Sequence, residues 1–207
     1  MTDFNEKQIE ILHVAEKLFA EVGFDGTSIR EIAKIANINI AMISYYFGSK
    51  EKLLEALVLY RIAGMRLHLE NLFQEDISPI QKMDKLIEFY MIRINSNKCM
   101  YQILHFELST NKREINLDAF TEVKNNNLKL MEKIIQEGQA QNLFQKDINV
   151  ALLPPIIIGS FIHVQMNKPY YQELLDLKTD EAFENYLLTT LTQHLQKTIK
   201  ALLVYEN

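Results

Sequence analysis

Residues 27–54, TSIREIAKIANINIAMISYYFGSKEKLL, read as two short helices joined by a tight turn and followed at once by the start of a longer helix. Just upstream, Gly23 is placed to take the left-handed conformation that ends a preceding helix, and Asp25-Gly26 is turn chemistry. Thr27 and Ser28 are both good N-caps, and Ser28 with Glu31 fits the reciprocal capping box. Ile29, Ile32, Ala33 and Ala36 then keep the i, i+3, i+4, i+7 spacing of one buried helical face. Asn37, the non-glycine type that best tolerates left-handed backbone, predicts the turn, and Asn39 caps a second helix after a buried Ile38. In that second helix Ile43 and Phe47 face inward, which leaves Ile40, Ala41, Ser44 and Tyr45 on or near the opposite face. Gly48 ends it, and Ser49 caps the helix that begins with Lys50 and Glu51.

Two helices around a turn of three or four residues form the helix-turn-helix unit, whose second helix has the right size for the major groove of B-DNA. The outward residues suit that task. Asn39 and Ser44 offer hydrogen bonds to base edges or phosphates, while Ala41 and Met42 offer apolar contact to thymine methyls. Tyr45 and Tyr46 carry hydroxyls on rigid rings, Thr27 and Ser28 open a helix N-terminus towards a phosphate with Arg30 one turn in, and Lys50 is placed to clamp the same strand.

These residues resemble a known family. The run ILHVAEKLFAEVGFDGTSIREIAKIANINIAMISYYFGSKEKLLEAL, within residues 8–57, is similar to the DNA-binding domain of the TetR/AcrR family of one-component transcriptional regulators. AEKLF, GFDGTSIREIA, YYF and GSKEKLL carry most of the specificity. The resemblance implies base and phosphate contacts at Thr27, Ser28, Arg30, Asn39, Ile40, Ala41, Met42, Ser44, Tyr45, Tyr46 and Lys50. Asn37 stands where the family commonly has glycine, and Ser44 where an aromatic is frequent. The operator sequence therefore does not carry over from a relative.

Composition bounds the rest. A chain of 207 residues with 48% hydrophobic and 24% charged content is an ordinary globular sequence of one or two domains. The single cysteine, Cys99, excludes an internal disulfide and a cysteine-cluster metal site, and reads as a small buried hydrophobe in a reducing cytoplasm. The polar start MTDFNEKQIE and the lack of a membrane-length apolar run predict a soluble cytoplasmic protein with no membrane partner. A net charge of −5 speaks weakly against nucleic acid, yet residues 32–50 hold two lysines and no acid, so the expected DNA-facing surface is locally positive. Histidines 13, 68, 105, 163 and 194 are scattered, and there is no HExxH, glycine-rich phosphate loop or GxSxG. The reading is of a non-enzyme without metal or cofactor.

The remaining chain predicts helices throughout, hence an all-α fold: a three-helix DNA-binding domain over 1–48 and a helical ligand-binding and dimerisation domain over 49–207. One long helix is expected from Ser49 to about Phe73, through Leu53, Leu57, Ile62, Met65, Leu69 and Leu72. Ser78-Pro79 opens another; further helices are expected over 98–109 and 114–141. Residues 149–168 are apolar nearly all round, with Gly159 and Ser160 small enough for close approach, and residues 181–203 carry a broad face of Phe183, Leu187, Leu188, Leu191, Leu195, Ile199, Leu202 and Leu203. Two such helices from each of two chains would form a four-helix homodimer interface, and the family resemblance implies the same. Tyr90, Met91, Tyr101, His105, Phe106, Phe120, Met131, Phe161 and Gln165 form the candidate lining for a small, largely apolar effector. The function expected is a ligand-responsive regulator, most simply a repressor, that binds a near-palindromic double-stranded operator as a homodimer. The alternative is an all-helical structural or adaptor protein that does not bind DNA.

Overall fold

The computed structural model describes residues 4–63, 65–110 and 112–204, and only the backbone of 65–68. All regular structure among them is helical. In chain order the helices are α1 (Glu6–Gly26), α2 (Ile29–Ile35), α3 (Ile40–Phe47), α4 (Lys50–Ile62), α5 (Met65–Gln74), α6 (Pro79–Ser96), α7 (Lys98–Thr110), α8 (Asp118–Ala140), α9 (Leu153–Met166), α10 (Lys168–Leu174), α11 (Asp180–Tyr186) and α12 (Thr192–Leu203). A 3-10 turn, Val150–Leu152, leads into α9, and a π-helical stretch, Leu187–Leu191, joins α11 to α12.

The chain forms two compact units. The first comprises Met1–Gly64 and Asn97–Val123, so it takes in α7 as well as the N-terminal helices. With seven and eight residues, α2 and α3 are too short to hold alone. They persist because Ile32, Ala33, Ile43 and Phe47 enter one core with Ile11, Leu12, Ala15 and Phe19 of α1, Leu53, Leu54 and Leu57 of α4 and Ile103 of α7. Each fully buried isoleucine, leucine or phenylalanine side chain contributes about 1.5–3 kcal/mol. α1 begins at Asn5, whose side chain and that of Gln8 cap each other's backbone amides. Its helical course breaks at Gly23, with φ 78°. At the end of α4, Arg61 forms a two-pronged ion pair with buried Glu16 of α1.

The second unit comprises Met65–Ser96 and Lys124–Asn207, with α6 packed against α5, α9 and α12. Its interior holds Met83, Leu86, Ile87, Tyr90, Met91 and Ile94 of α6, Met131, Ile134 and Ile135 of α8, and Ile157 and Phe161 of α9. Lys82 of α6, itself buried, pairs with Glu137 of α8 at 2.9 Å.

Three helices differ from the sequence reading. The expected helix over 49–73 is two, because Ala63 takes extended backbone (ψ 140°) and its amide closes α4 on the Tyr60 carbonyl. The next residue in sequence is glycine, a poor helix former; it and the Met65 side chain lie outside what is described. The 149–168 helix ends at Met166, and α10 follows at an angle of 84°, where Pro169 cannot continue the hydrogen-bond ladder. In 181–203 the π-helical stretch accommodates buried Thr192, whose hydroxyl donates to the Leu187 carbonyl at 2.9 Å. Among the described residues no single helix is long and apolar enough to cross a membrane; only the bent pair Val150–Met166 and Lys168–Leu174 meets that length and composition when taken together.

Gly138, buried near the end of α8, lies directly under the Phe144 ring. A Cβ there would stand 2.1 Å from a ring carbon. Helix propensity alone favours alanine by about 1 kcal/mol, but overpacking of this kind costs about 1–3 kcal/mol or more. Gly138→Ala is therefore expected to lower stability in urea unfolding of the full chain, and a higher midpoint would refute the packing described.

Candidate nucleic-acid interface

The caps expected from the sequence form, although of the reciprocal Ser28–Glu31 pair only the Ser28 half is made. The Glu31 amide donates to Ser28 Oγ at 3.1 Å, the Ala41 amide to Asn39 Oδ1 at 2.9 Å and the Lys52 amide to Ser49 Oγ at 3.1 Å, so α2, α3 and α4 each start on the predicted cap. Asn37 sits at φ 50° and Gly48 at φ 81°, both in the left-handed half of backbone space where asparagine and glycine are the tolerant types. The turn between α2 and α3 covers Ala36 to Asn39.

α3 turns Ile43 (1% exposed) and Phe47 inward and leaves Asn39, Ile40, Ala41, Ser44 and Tyr45 exposed. Met42 and Tyr46 are half-buried at the margins of that face. The Tyr45 ring, 84% exposed, leans edge-on against Tyr46 with centroids 5.3 Å apart. Ser28, Arg30 and Lys34 on α2 are exposed too.

Two expected contacts change character. Thr27 is 2% exposed; its hydroxyl donates to the Gly23 carbonyl at 2.8 Å and its amide to the Phe24 carbonyl, so it braces the turn and has no group left for a phosphate. Lys50 Nζ donates to the carbonyls of Phe24 (2.8 Å) and Thr27 (2.9 Å) and sits 4.3 Å from the Phe24 ring centroid. It therefore ties the start of α4 to the turn before α2.

The same turn holds residues that the local sequence pattern did not mark. Arg113, in the segment after α7, pairs with Asp25 and with buried Glu107, and its guanidinium lies 4.2 Å from the Phe24 ring centroid. Lys112 lies 3.6 Å from the other Asp25 oxygen. Desolvation pushes the Asp25 carboxyl up, but hydrogen bonds and charge from Arg113 and Lys112 together outweigh it and hold it below the usual carboxylate range. These partners lie some ninety residues away along the chain, beyond any local spacing rule.

The candidate ligand residues divide. Tyr90, Met91, Met131 and Phe161 are buried in the second unit, with Gln165 half-buried one turn after Phe161 on α9. Gln165 Oε1 is buried without a hydrogen-bond partner. In the first unit, Tyr101 and Phe120 pack on Val58, Met100 and Leu104. His105 and Phe106, expected to line a cavity, are instead exposed, because α7 turns Met100, Ile103, Leu104 and Glu107 inward. An open groove of about 930 Å³ in the first unit is lined by Glu51, Lys52, Glu55, Arg113, Asp118 and neighbours, and holds none of these candidates.

The profile of bacterial regulatory proteins of the tetR family matches residues 11–57, and that of the tetracyclin repressor-like C-terminal domain matches residues 79–197, more than half of the chain. The chain belongs to the TetR family. This TetR-family chain is 33% identical over 147 residues to the HTH-type transcriptional repressor NicS of Pseudomonas putida, covering 67% of this chain and 66% of that one. It is 28% identical over 183 residues to the probable HTH-type transcriptional regulator YttP of Bacillus subtilis, covering 80% and 86%. A crystal structure of the transcriptional regulator FadR from Bacillus subtilis in complex with stearoyl-CoA shares the fold at a TM-score of 0.69 and 19% identity, over 94% of this chain and 98% of that one. The all-α architecture and the regulator class expected from the sequence both stand.

The division of α3 into an inner and an outer face has a direct test. Tyr45→Ala should change stability by no more than about 0.5 kcal/mol, whereas Ile43→Ala should cost about 2–5 kcal/mol. Chemical denaturation of the two variants reads this; comparable losses would mean that the Tyr45 ring is part of the core.

Proposed function

We propose that this TetR-family regulator represses transcription by binding, as a homodimer, a near-palindromic operator, and that a small, largely apolar effector releases it. The observation that carries the reading is the outer face of α3: a capped helix with Tyr45 84% exposed, within a stretch from Ile32 to Lys50 that has no acidic residue. A helix of this size fits the major groove, and the absence of carboxylates removes repulsion from phosphates. In this proposal Asn39, Ile40, Ala41, Met42 and Ser44 read base edges, and Ser28, Arg30, Tyr45 and Tyr46 hold phosphates. Lys50 adds the ammonium proton that its two carbonyl partners leave over. Reading thus lies in residues 1–48 together with Lys50, and regulation in the rest of 49–207, of a cytoplasmic, non-catalytic protein.

One such helix reads only a few base pairs, so pairing of two copies supplies the rest of the site. The helices over 149–168 and 181–203 remain the proposed contact, with a revised surface. Phe183, Leu187, Leu191, Leu195, Ile199 and Leu203 are spent in the chain's own core, so the apolar face of 181–203 is not the contact. What these helices present outward is Leu152, Gly159 and Met166 on and before α9, and Asn185, Thr189, Gln193 and Leu202 on the last helical run. Gly159 has open space where a Cβ would stand, which suits close helix approach.

For the effector, Tyr90, Met91, Met131 and Phe161 supply an apolar wall and Gln165 an amide oxygen with unmet hydrogen-bonding capacity, an arrangement suited to an apolar molecule with a donor group. FadR, with stearoyl-CoA bound, shows the fold holding an acyl ligand. Weakened DNA binding with effector present is two-state coupling between separate sites.

Selection of bound fragments from the source genome, with and without cell extract, is the test. A palindromic site should be enriched and lost on addition of the effector; no enriched site overturns the reading. On the selected site, Tyr45→Ala should weaken binding to all sequences alike, whereas Asn39→Ala and Met42→Ala should change which bases are preferred.

A further inference from the structure

The turn from Phe24 to Thr27 launches α2, and everything the reader presents to DNA is placed by it. It is gripped from two directions. Lys50, opening α4, holds its carbonyls; Arg113, between α7 and α8, holds its side chains. Both cations lie over the Phe24 ring, at 4.3 and 4.2 Å from the centroid. Phe24 itself is 3% exposed and packs on Phe19 at 5.2 Å. Arg113 is anchored in turn by Glu107 of α7, whose side chain is only 2% exposed, so the guanidinium bridges a fixed buried carboxylate and the Asp25 carboxylate of the turn. A planar guanidinium with a stacked ring and two carboxylate partners fixes direction as well as distance. Three residues on, the Asn116 amide donates to Glu55 Oε1 of α4 at 2.9 Å, so residues 113–116 strap the turn and α4 to one another.

We propose that Arg113 is a positioning residue for the DNA reader: it touches no DNA, but by joining Glu107, Phe24 and Asp25 it sets where α2 starts and hence where α3 points. This rests on the operator-binding reading above. It also makes the α7–α8 connection a point at which operator affinity is set from outside the helix-turn-helix. Any movement that withdraws Arg113 leaves the turn to Lys50 alone, leaves Glu107 buried without its partner and leaves Asp25 with only the longer Lys112 contact just before the N-terminus of α2.

The test is operator affinity of the full chain at 25 °C, as a function of salt, on the site obtained by genomic selection. Removing Arg113 alone would strand the Glu107 carboxylate, so Arg113→Ala is made together with Glu107→Gln, and Asp25→Asn is made separately at its exposed position. The double variant should lose affinity on the order of tenfold with an unchanged slope of log affinity against log salt, since no phosphate contact is removed. Asp25→Asn should lose less, and should add nothing in the double-variant background, because the two sites act through one bridge. Arg113→Lys, which keeps the charge but not the fork, should fall between wild type and the double variant. Unchanged affinity at 25 °C, even with a lowered melting temperature, overturns the proposal and leaves Arg113 a structural brace. A salt slope reduced by about one overturns it in favour of direct phosphate contact. Failure of the wild-type chain to bind any fragment removes the operator-binding reading itself, and so is distinguishable from failure of Arg113's role.

Discussion

Two helices of seven and eight residues cannot hold their shape in water, and the whole reader depends on that limit being overcome. Ile32, Ala33, Ile43 and Phe47 do so by entering a core built on α1 and α4. Hydrophobic burial of this kind is strong but non-directional, and fixes α2 and α3 against the core more firmly than it fixes their rotation. Direction comes from polar terms at the ends: caps at Ser28, Asn39 and Ser49, the left-handed turn residues Asn37 and Gly48, and Lys50 spanning two carbonyls. Apolar packing supplies the energy, and the caps and cations supply the geometry.

Charge is arranged to the same end. The chain is acidic overall, yet two of its buried carboxylates in the first unit are paired with arginine: Glu16 with Arg61 and Glu107 with Arg113. Ion pairs out of water add little net stability, because desolvation offsets attraction, but losing one partner is costly. Their effect is on specificity of arrangement: Glu16–Arg61 joins α1 to α4 at one defined point, and Glu107 holds Arg113 where it meets Asp25, far off in sequence. The outer face of α2 and α3 carries a modest positive balance, consistent with recognition in which a few placed contacts count for more than bulk attraction.

The second unit shows how one helical pattern serves different ends. The face from Phe183 to Leu203 has the periodicity of an interface helix and of a core helix alike, and here it is interior except at half-buried Leu188 and exposed Leu202. α9, apolar nearly all round, buries Leu153, Ile157, Phe161 and Val164 and keeps a second, more exposed side with Leu152, Gly159 and Met166. Periodicity identifies a buried face but not its partner, and the same holds for the proposed ligand wall, where Phe161 is interior while Phe106 is exposed.

The helix-turn-helix was legible in residues 27–54 because its determinants are local. A cap acts on an amide two or three residues ahead, a turn asparagine on its own φ, and a helix face on residues three and four apart, so each can be read from spacing. The family resemblance rested on the same run. Beyond that reach the sequence was mute. It did not show that Thr27 is sealed inside the turn, that Lys50 is committed to carbonyls, or that a helix expected to be continuous over 49–73 ends at Ile62. Nor did anything near Asp25 point to Arg113. The sequence by itself determined the two short helices of the reader, their caps and which of their faces turns inward. Only the tertiary structure decided what those faces meet, because which side chains from distant helices share a buried space is set by packing of the whole chain and by no interval along it.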